Sequence, residues 1–361
     1  MSVHPRWHAS AGAAARERVR QPAVGATWLG RAALRLGCVP TAIVLAGASA
    51  SFAVAHPAEE PPPAVTVGTP VGGSLVWREL RYSASKFLLR ASTVIRVDEV
   101  DDDTLRPGLR QPIAGDGVAL PSRVLVVGVA TDLPFGRSER VSYWLDPATG
   151  AAVQGDKLAL GGKPYRKVFR YLTDGIEVWR QSPANDGERA GDPNAWTRVR
   201  TANIRPVHPF PAGAVVTDSY ALLPLASAIR LDEAGATATL YFIADDEPVR
   251  LDLIAGKLTF KRPGQHEVWP GGERVRRGDV LVRAATVRGR VVGKSSDSGD
   301  SAGGDVDLGF LGMRGELTMY VEVGTGIPLE IVGRVDKVGE ITVDLDQVTF
   351  RQAPEPPAVR R

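Results

Sequence analysis

The chain has 361 residues, of which 43% are apolar and 24% are charged. This balance is typical of a folded globular protein and excludes both a wholly disordered chain and a polytopic membrane protein. The single cysteine, Cys38, excludes a disulfide scaffold and a cysteine-ligated zinc site. The excess of basic over acidic residues, 44 against 41, comes from positions 1–55, which hold six arginines and one acid. The remaining 38 basic and 40 acidic residues give no indication of nucleic-acid binding.

Positions 1–55 have the features of a signal peptide. An arginine-rich stretch is followed by an uncharged apolar run, and Ala53 and Ala55 supply the small residues of a peptidase cleavage site. We therefore predict cleavage between Ala55 and His56, and a periplasmic or secreted location in the bacterial cell envelope. The alternative is an uncleaved membrane anchor, for which the run is short. Cys38 precedes the apolar run, so the pattern does not predict a lipidated cysteine, and the mature chain would hold no cysteine.

Composition divides the rest of the chain into three segments. Residues 56–74 are rich in proline and glycine, which predicts an extended linker. Residues 75–352 have the patterns of a single antiparallel β-rich domain, and residues 353–361 form a proline-rich tail. Within the domain, two stretches rich in small and polar residues, Ser182–Ala195 and Lys294–Asp305, predict surface loops.

The clearest predicted hairpin spans Lys167–Gln181. Its Asp174-Gly175 pair favours a two-residue turn, because both positions of such a turn have positive φ. The turn implies four cross-strand pairs: Thr173 with Ile176, Leu172 with Glu177, Tyr171 with Val178, and Arg170 with Trp179. Four residues, three of them strongly apolar, then share the face that we expect to be buried: Phe169, Tyr171, Ile176 and Val178. On the other face we expect Arg170 to stack on Trp179.

A second hairpin is predicted over Gly315–Val335, followed by a third strand. Apolar and polar residues alternate in Leu317–Val323 and again in Ile341–Leu345, which is the period of a half-buried strand. Similar runs predict three further strands: Ala238–Ile243, Val249–Ile254 and Val280–Arg290.

One helix is predicted near Thr217–Leu231. Four apolar residues there follow the spacing of a helical stripe: Leu222, Leu225, Ala226 and Ile229. Asp218 or Ser219 can cap the N-terminus. Pro224 is tolerated only in the first turn, so the regular helix would begin near Leu223. The fold class that these patterns predict is mainly β, a curved antiparallel sheet or half-barrel with one or two helices.

Several segments resemble the bacterial secreted proteins grouped as domain of unknown function 3108. They are Arg166–Gly175, Asp218–Arg230, Gly312–Glu316, Thr325–Leu329 and Gly339–Ile341. The resemblance spans roughly Val76 to Phe350 and depends on spacing and turn residues. It implies an envelope location and a curved antiparallel sheet with a helix or two, and it implies no established activity. By analogy of fold, such sheets look like the half-barrels that carry or sense lipoproteins in the periplasm.

The sequence contains no arrangement typical of a catalytic or metal site. His56, His208 and His266 have no partner at metal-ligand spacing, and no nucleophile elbow, phosphate loop or dinucleotide fingerprint occurs. The acidic stretches Asp98–Asp103 and Asp297–Asp307 do not fit a calcium-binding loop and are typical of solvated loops. We therefore predict no catalytic residue, no metal ligand and no cofactor, and the sequence singles out no binding residue.

Five tryptophans follow the leader: Trp77, Trp144, Trp179, Trp196 and Trp269. Aromatic side chains on a curved sheet can line an apolar pocket, but they more often fill the space between sheet and helix. The sequence favours the second role for these five.

Two classes of function fit these patterns. The first is a secreted or periplasmic non-enzymatic envelope protein that binds an apolar or amphipathic ligand, or an envelope partner, on a curved β-sheet. The alternative is a secreted hydrolase that uses two carboxylates, which requires two buried acids close together in a cleft. The lack of catalytic motifs favours the first, with a lipid-like ligand or an envelope protein as partner, no nucleic acid, and no transmembrane anchor after cleavage.

Overall fold

The computed structural model describes residues 75–86, 89–205, 210–229, 233–244, 247–269, 273–275, 278–292, 306, 308, 310–336 and 338–351. The predicted cleavage site at Ala55 and His56, the linker, the tail, His208 and the loop Lys294–Asp305 lie outside the described residues. Contacts divide the chain into Met1–Pro62 and Pro63–Arg361, and every described residue belongs to the second unit.

The described part of the chain is mainly β, which confirms the predicted fold class. Its strands are β1 (Trp77–Lys86), β2 (Leu89–Asp101), β3 (Arg123–Leu133), β4 (Arg137–Leu145), β5 (Ala152–Leu160), β6 (Tyr165–Tyr171), β7 (Ile176–Ser182), β8 (Arg198–Ile204), β9 (Thr237–Ala244), β10 (Glu247–Lys261), β11 (His266–Trp269), β12 (Glu273–Val275), β13 (Val280–Val291), β14 (Met313–Glu322), β15 (Pro328–Val335) and β16 (Gly339–Phe350). The helices are short: α1 (Asp102–Leu105), α2 (Asp186–Ala190) and α3 (Leu222–Ala228), with 3₁₀ turns at Arg106–Gly108, Pro193–Ala195 and Ser219–Ala221.

Most of the strands follow one path through a single sheet, in the order β8-β7-β6-β5-β4-β3-β2-β1-β16-β15-β14-β13-β10-β9. Every neighbouring pair on this path is antiparallel. Strand β11 pairs with β12 and, in parallel, with the end of β16, where Val268 lies opposite Val348. Strand pairing does not close the sheet, so β8 and β9 are its two ends.

The sheet curls until β9 comes close to β5. The segment Val215–Thr217 lies between these strands and forms a backbone link to each of them. Val216 forms a parallel bridge with Tyr241 of β9, and its carbonyl accepts a hydrogen bond from the Ala152 N–H of β5 at 2.9 Å. The strands from β5 through β1 and β16 to β9 therefore surround an interior, and β6, β7 and β8 continue the sheet past this link.

The segment after the link fills that interior. Asp218 caps a 3₁₀ turn by accepting the Tyr220 N–H at 3.0 Å, and α3 follows directly. The helix is shorter than predicted, and it is buried on nearly all sides instead of along one stripe, because the curled sheet surrounds it. Pro224 lies within its first turn, as predicted. The Trp77 indole N–H donates to Ser227 Oγ at 3.1 Å, which ties the helix to β1.

Alternate residues of the strands supply the rest of the core. Ile95, Val127 and Tyr143, from β2, β3 and β4, are almost fully buried. Gly155 in β5 has no side chain, and the Tyr143 ring occupies the space that a Cβ there would need. This lets the Tyr143 ring approach Phe169 of β6, with ring centres 6.3 Å apart. We call the side of the sheet that carries these residues the inner face, and the opposite side the outer face.

The second predicted hairpin is confirmed as β14 and β15, with Met319 opposite Ile331. The third strand is β16, in which Val343 and Leu345 are buried. The further strands predicted from apolar runs form as β9, β10 and β13. Val323 departs from the predicted alternation: it lies in the turn after β14 and is 48% exposed.

The first predicted hairpin forms as β6 and β7, but its predicted register is wrong. The observed pairs are Tyr171 with Ile176, Arg170 with Glu177, Phe169 with Val178, and Val168 with Trp179. The connection is a four-residue loop, Leu172–Gly175, closed by a hydrogen bond from Leu172 N to Gly175 O at 2.9 Å. Gly175 does not adopt positive φ; it is needed because a Cβ there would overlap the Ile204 carbonyl oxygen of β8. Packing against a third strand, β8, overrides the local preference for a two-residue turn.

The predicted burial of the two faces of this hairpin is also wrong. On the outer face, Arg170, Glu177 and Trp179 are buried. They are covered by residues 106–118, part of the connection between β2 and β3, which we call the strap. The Arg110 guanidinium of the strap lies 4.4 Å from the Trp179 ring centre and takes the place predicted for Arg170.

Backbone groups of the strap satisfy the two buried charges. The Glu177 carboxylate accepts the N–H groups of Ile113 and Ala114 at 2.8 and 2.9 Å. The Arg170 guanidinium donates to four carbonyls, those of Arg110, Val118, Val153 and Tyr171. Burial of these charges is therefore compatible with folding, because each has fixed hydrogen-bond partners.

Candidate functional site

Four basic side chains lie in a row across four neighbouring strands. Lys157 of β5 pairs with Lys167 of β6, Lys167 pairs with Arg180 of β7, and Arg180 pairs with Arg200 of β8. Directly paired residues share a face, and Lys157 also pairs with the core residue Val141, so the row lies on the inner face. Like charges directly opposite each other destabilise a sheet. Stability alone therefore does not explain this arrangement, which we call the basic row.

Aromatic rings lie beside the basic row. The Lys167 ammonium lies 5.6 Å from the Tyr165 ring centre and 6.0 Å from that of Phe169. The Arg180 guanidinium lies 4.7 Å from the Tyr165 ring centre. Such cation–π contacts offset part of the repulsion between the cations. The two arginines of the row are exposed and the two lysines are half-buried, so the row is accessible from solvent.

The inner face of β6, β7 and β8 is divided into a basic end and an apolar end. The basic end carries Lys167, Arg180, Ser182, Arg198 and Arg200. The apolar end carries Phe169, Tyr171, Ile176, Val178, Ala202 and Ile204. Tyr171 and Ile176 are buried, whereas the other four keep part of their surface exposed. The two ends are separated by about 13 Å along β7, from Arg180 to Ile176, at the usual rise of a strand.

A small pocket of about 190 Å³ lies at the basic end. It is lined by Arg180, Ser182, Arg198 and Arg200, and Ser182 lies opposite Arg198 in the register. We call it the arginine pocket. No carboxylate lines it among the described residues, and Glu188 of α2 interacts electrostatically with Arg198.

On the core side of the basic row, two tyrosines hold one carboxylate. The hydroxyls of Tyr143 and Tyr171 hydrogen-bond to Asp218, which also accepts the Tyr220 N–H. Burial raises the pKa of Asp218, and these hydrogen bonds and the nearby Lys157 ammonium offset this only in part. Burial also raises the pKa values of the three tyrosines well above their ordinary value. The hydroxyls therefore remain protonated donors to the carboxylate.

Lys157 and Glu139 join this cluster to the basic row. Lys157 Nζ lies 2.9 Å from Glu139 Oε1, and the two side chains are 18% and 20% exposed. The Tyr220 hydroxyl donates to the same carboxylate, and its ring centre lies 5.5 Å from the ammonium. Burial opposes the charge of Lys157, but Glu139 and further neighbours raise the pKa above its ordinary value. Because Glu139 neutralises Lys157, the excess positive charge of the row lies toward Arg180 and Arg200.

The residues that sequence reasoning considered for metal binding lie elsewhere. His266 is buried in β11, with Nδ1 3.4 Å from the Gly264 carbonyl. The stretch Asp98–Asp103 ends β2 and begins α1, where Asp98 pairs with Arg78 at 2.8 Å. Within the described residues, no group of three or more His, Cys, Asp or Glu side chains is placed to hold a metal ion. No described helix has the length and apolar character needed to cross a membrane.

Most of the tryptophans fill space, as the sequence favours, but not all of them do so between sheet and helix: Trp77 contacts α3, whereas Trp179 lies beneath the strap on the outer face. Trp77, Trp179 and Trp196 are buried, and Trp144 is half-buried. Trp269 is different: it is 41% exposed and lines an open cleft of about 520 Å³. This cleft is larger than the arginine pocket, but Arg78 and Arg351 share its walls with acids, Asp98 and Glu99. Charge in the cleft is therefore balanced, and the cleft does not select for a charged ligand.

Sequence reasoning misses the basic row because of the register error. A two-residue turn at Asp174-Gly175 would place Lys167 opposite Ser182 and break the row, whereas the real loop places Lys167 opposite Arg180. The sequence does contain one signal for a basic surface: Arg198 and Arg200 are two residues apart, so their side chains lie on the same face of a strand.

The chain matches no family model, and it matches no curated protein. Among solved structures, it is similar to a beta-barrel-like protein of the domain of unknown function DUF1849 from Brucella abortus. The TM-score is 0.42 at 11% sequence identity, and the match covers 77% of this chain and 98% of that one.

Proposed function

We propose that the protein is a secreted or periplasmic, non-enzymatic binding protein of the bacterial envelope. Its ligand is an anionic amphipathic molecule, bound on the inner face of β6, β7 and β8. The predicted signal peptide supports the location, as does the resemblance of the sequence to the secreted family with domain of unknown function 3108. The division of one sheet face into a basic and an apolar end supports the ligand class.

One observation carries the proposal, namely the basic row. Glu139 neutralises Lys157, but Arg180 and Arg200 lie directly opposite each other, which costs stability unless an anion neutralises them. An anionic group between Arg180 and Arg200 would gain charge-assisted hydrogen bonds. An apolar tail that extends from there would cover the exposed parts of Phe169, Val178 and Ala202, a contact that the hydrophobic effect favours.

Calorimetric titration with dodecanoate, below its micelle concentration, tests the ligand class. The wild-type chain should bind dodecanoate, and the double variant Lys167→Gln, Arg180→Gln should bind it at least about tenfold more weakly. Arg334→Gln is the matched control, because Arg334 is an exposed strand arginine that also lies opposite another arginine, Arg314. Failure of the wild type to bind, or an equal loss in the control, would contradict the proposal.

The location has its own test. The intact mass of the exported chain should correspond to a start at His56, after cleavage behind Ala55. A secreted or envelope-bound chain that retains Cys38 would contradict the predicted processing.

A carboxylate-dependent hydrolase is the second candidate, and one contact favours it. Glu139 and Asp218 both bind Tyr220, one at its hydroxyl and the other at its N–H. Hydrolysis of chromogenic esters and glycosides by the wild type, lost in both Glu139→Gln and Asp218→Asn, would favour this function. Unchanged background rates in all three chains would exclude it for these substrates.

A further inference from the structure

We infer that the arginine pocket binds the phosphate group of an amphipathic phosphate monoester. This inference rests on the proposed function and names the headgroup of its ligand. Three arginines and one serine line about 190 Å³ of space in this pocket. Arg180 and Arg200 lie directly opposite each other on β7 and β8, and Ser182 and Arg198 form the next pair on the same face.

The chemistry of the lining selects a phosphate over a carboxylate. A carboxylate has two oxygens and one charge, so one guanidinium fork satisfies it. A phosphate monoester presents three oxygens and a charge of about −1.5 to −2 at neutral pH. Three arginines and a serine hydroxyl provide more donors than a carboxylate can use, but they match the oxygens of a phosphate.

The position of the pocket selects an amphipathic ligand over free phosphate. On β7 the strand continues from Arg180 to Val178, and on β8 it continues from Arg200 to Ala202, so apolar side chains begin two residues from the pocket. The Phe169 ring lies opposite Val178 and remains partly exposed. A chain attached to the phosphate would therefore run along this apolar end.

The charges around the pocket make pH a selective readout. The arginines stay protonated at all pH values of interest. Lys167 is the adjacent cation of the row, and Glu188 of α2 is the acid that interacts with Arg198. Hydrogen bonds from Thr197 and Ala184 lower the pKa of Glu188, so this acid stays ionised. The expected change in affinity between about pH 5.5 and 8 comes from the second ionisation of the phosphate, near pH 6.

The test compares dodecyl phosphate, dodecanoate and inorganic phosphate by calorimetric titration with the full chain, at about pH 5.5 and at about pH 8. Dodecyl phosphate should bind more tightly at the higher pH, and at least about tenfold more tightly than dodecanoate there. The variants Arg198→Gln and Arg200→Gln should each weaken the binding of dodecyl phosphate by about tenfold. They should also remove most of the pH dependence of this binding. Arg198→Lys should lose part of the affinity, because it keeps the charge but not the guanidinium fork. The control Arg334→Gln should leave the affinities for all three ligands, and their pH dependence, unchanged.

Three outcomes would overturn the inference. Equal affinities for dodecyl phosphate and dodecanoate, without pH dependence, would show a general anion surface and leave the proposed function intact. Equal affinities for inorganic and dodecyl phosphate would show a free-phosphate site. No binding of either amphiphile would contradict the proposed function itself. Thermal unfolding of each variant distinguishes lost binding from lost folding, and we expect little change because these arginines are exposed.

Discussion

The two faces of the β6–β7 hairpin carry charge in opposite ways. On the outer face, Arg170 and Glu177 are buried, and the backbone of the strap supplies their hydrogen-bond partners. On the inner face, Lys167 and Arg180 lie directly opposite each other beside the Tyr165 ring, and the basic row continues on both sides. The first arrangement stabilises the fold, whereas the second costs stability, a cost that the proposed anionic ligand would offset. The partners that surround a charge, and not the charge itself, decide which role it has.

The largest expected effect comes from breaking the outer face. Glu177→Ala leaves two strap N–H groups unpaired and removes the nearby charge that favours the ionised form of the buried Arg170, so we expect a loss of about 3 kcal/mol or more in unfolding free energy. Urea unfolding measures it. Glu316→Ala is the control, since Glu316 is 51% exposed and pairs with Arg288, and its loss should stay below about 1 kcal/mol. Similar losses in both variants would show that the strap does not depend on Glu177.

The next effect concerns the loop that sets the register. Gly175→Val should cost about 1–3 kcal/mol, because the new side chain would overlap the Ile204 carbonyl of β8 and push that strand away. Gly128→Val in β3 is the matched control, because a Cβ there meets no atom within 4 Å and valine suits a strand. Thermal unfolding compares the two. Equal stability would mean that β8 does not pack against the loop.

A charge reversal on the inner face should have a smaller effect, and of the opposite sign. Arg180→Glu places an acid between Lys167 and Arg200, so it should stabilise the chain by about 0.2–1 kcal/mol. The same variant should no longer bind dodecyl phosphate. Stability measured by urea unfolding and binding measured by calorimetry should therefore change in opposite directions. A marked loss of stability would contradict the view that the basic row is kept for a ligand.

The smallest expected effect is the pH dependence of stability that the buried Asp218 produces. Burial raises the pKa of Asp218 in the folded state above its unfolded value. The stability that Asp218 contributes is therefore fully present below the unfolded pKa and is lost as pH rises through the folded pKa. Unfolding measured from about pH 4 to pH 7 should show this loss in the wild type, and Asp218→Asn should remove it. Identical pH profiles for the two chains would contradict the raised pKa.

Sequence patterns are enough to predict much of the fold. Alternating apolar residues predict β14 and β16 because a strand with one buried face has a period of two. The placement of Pro224 limits where α3 can begin, because proline lacks an N–H and fits only the first turn. These features depend on residues that are neighbours in the sequence, so local chemistry determines them.

The tertiary structure decided the remainder, including the whole candidate site. The register of β6 and β7 depends on β8 and Ile204, and the burial of Arg170 and Glu177 depends on the strap. The basic row joins residues from four strands, and Asp218 meets Tyr143 and Tyr171 only because the sheet curls around it. Local preferences are worth a few tenths to about 1 kcal/mol, whereas steric overlap and unpaired buried charges cost more. Long-range contacts therefore prevail wherever the two disagree.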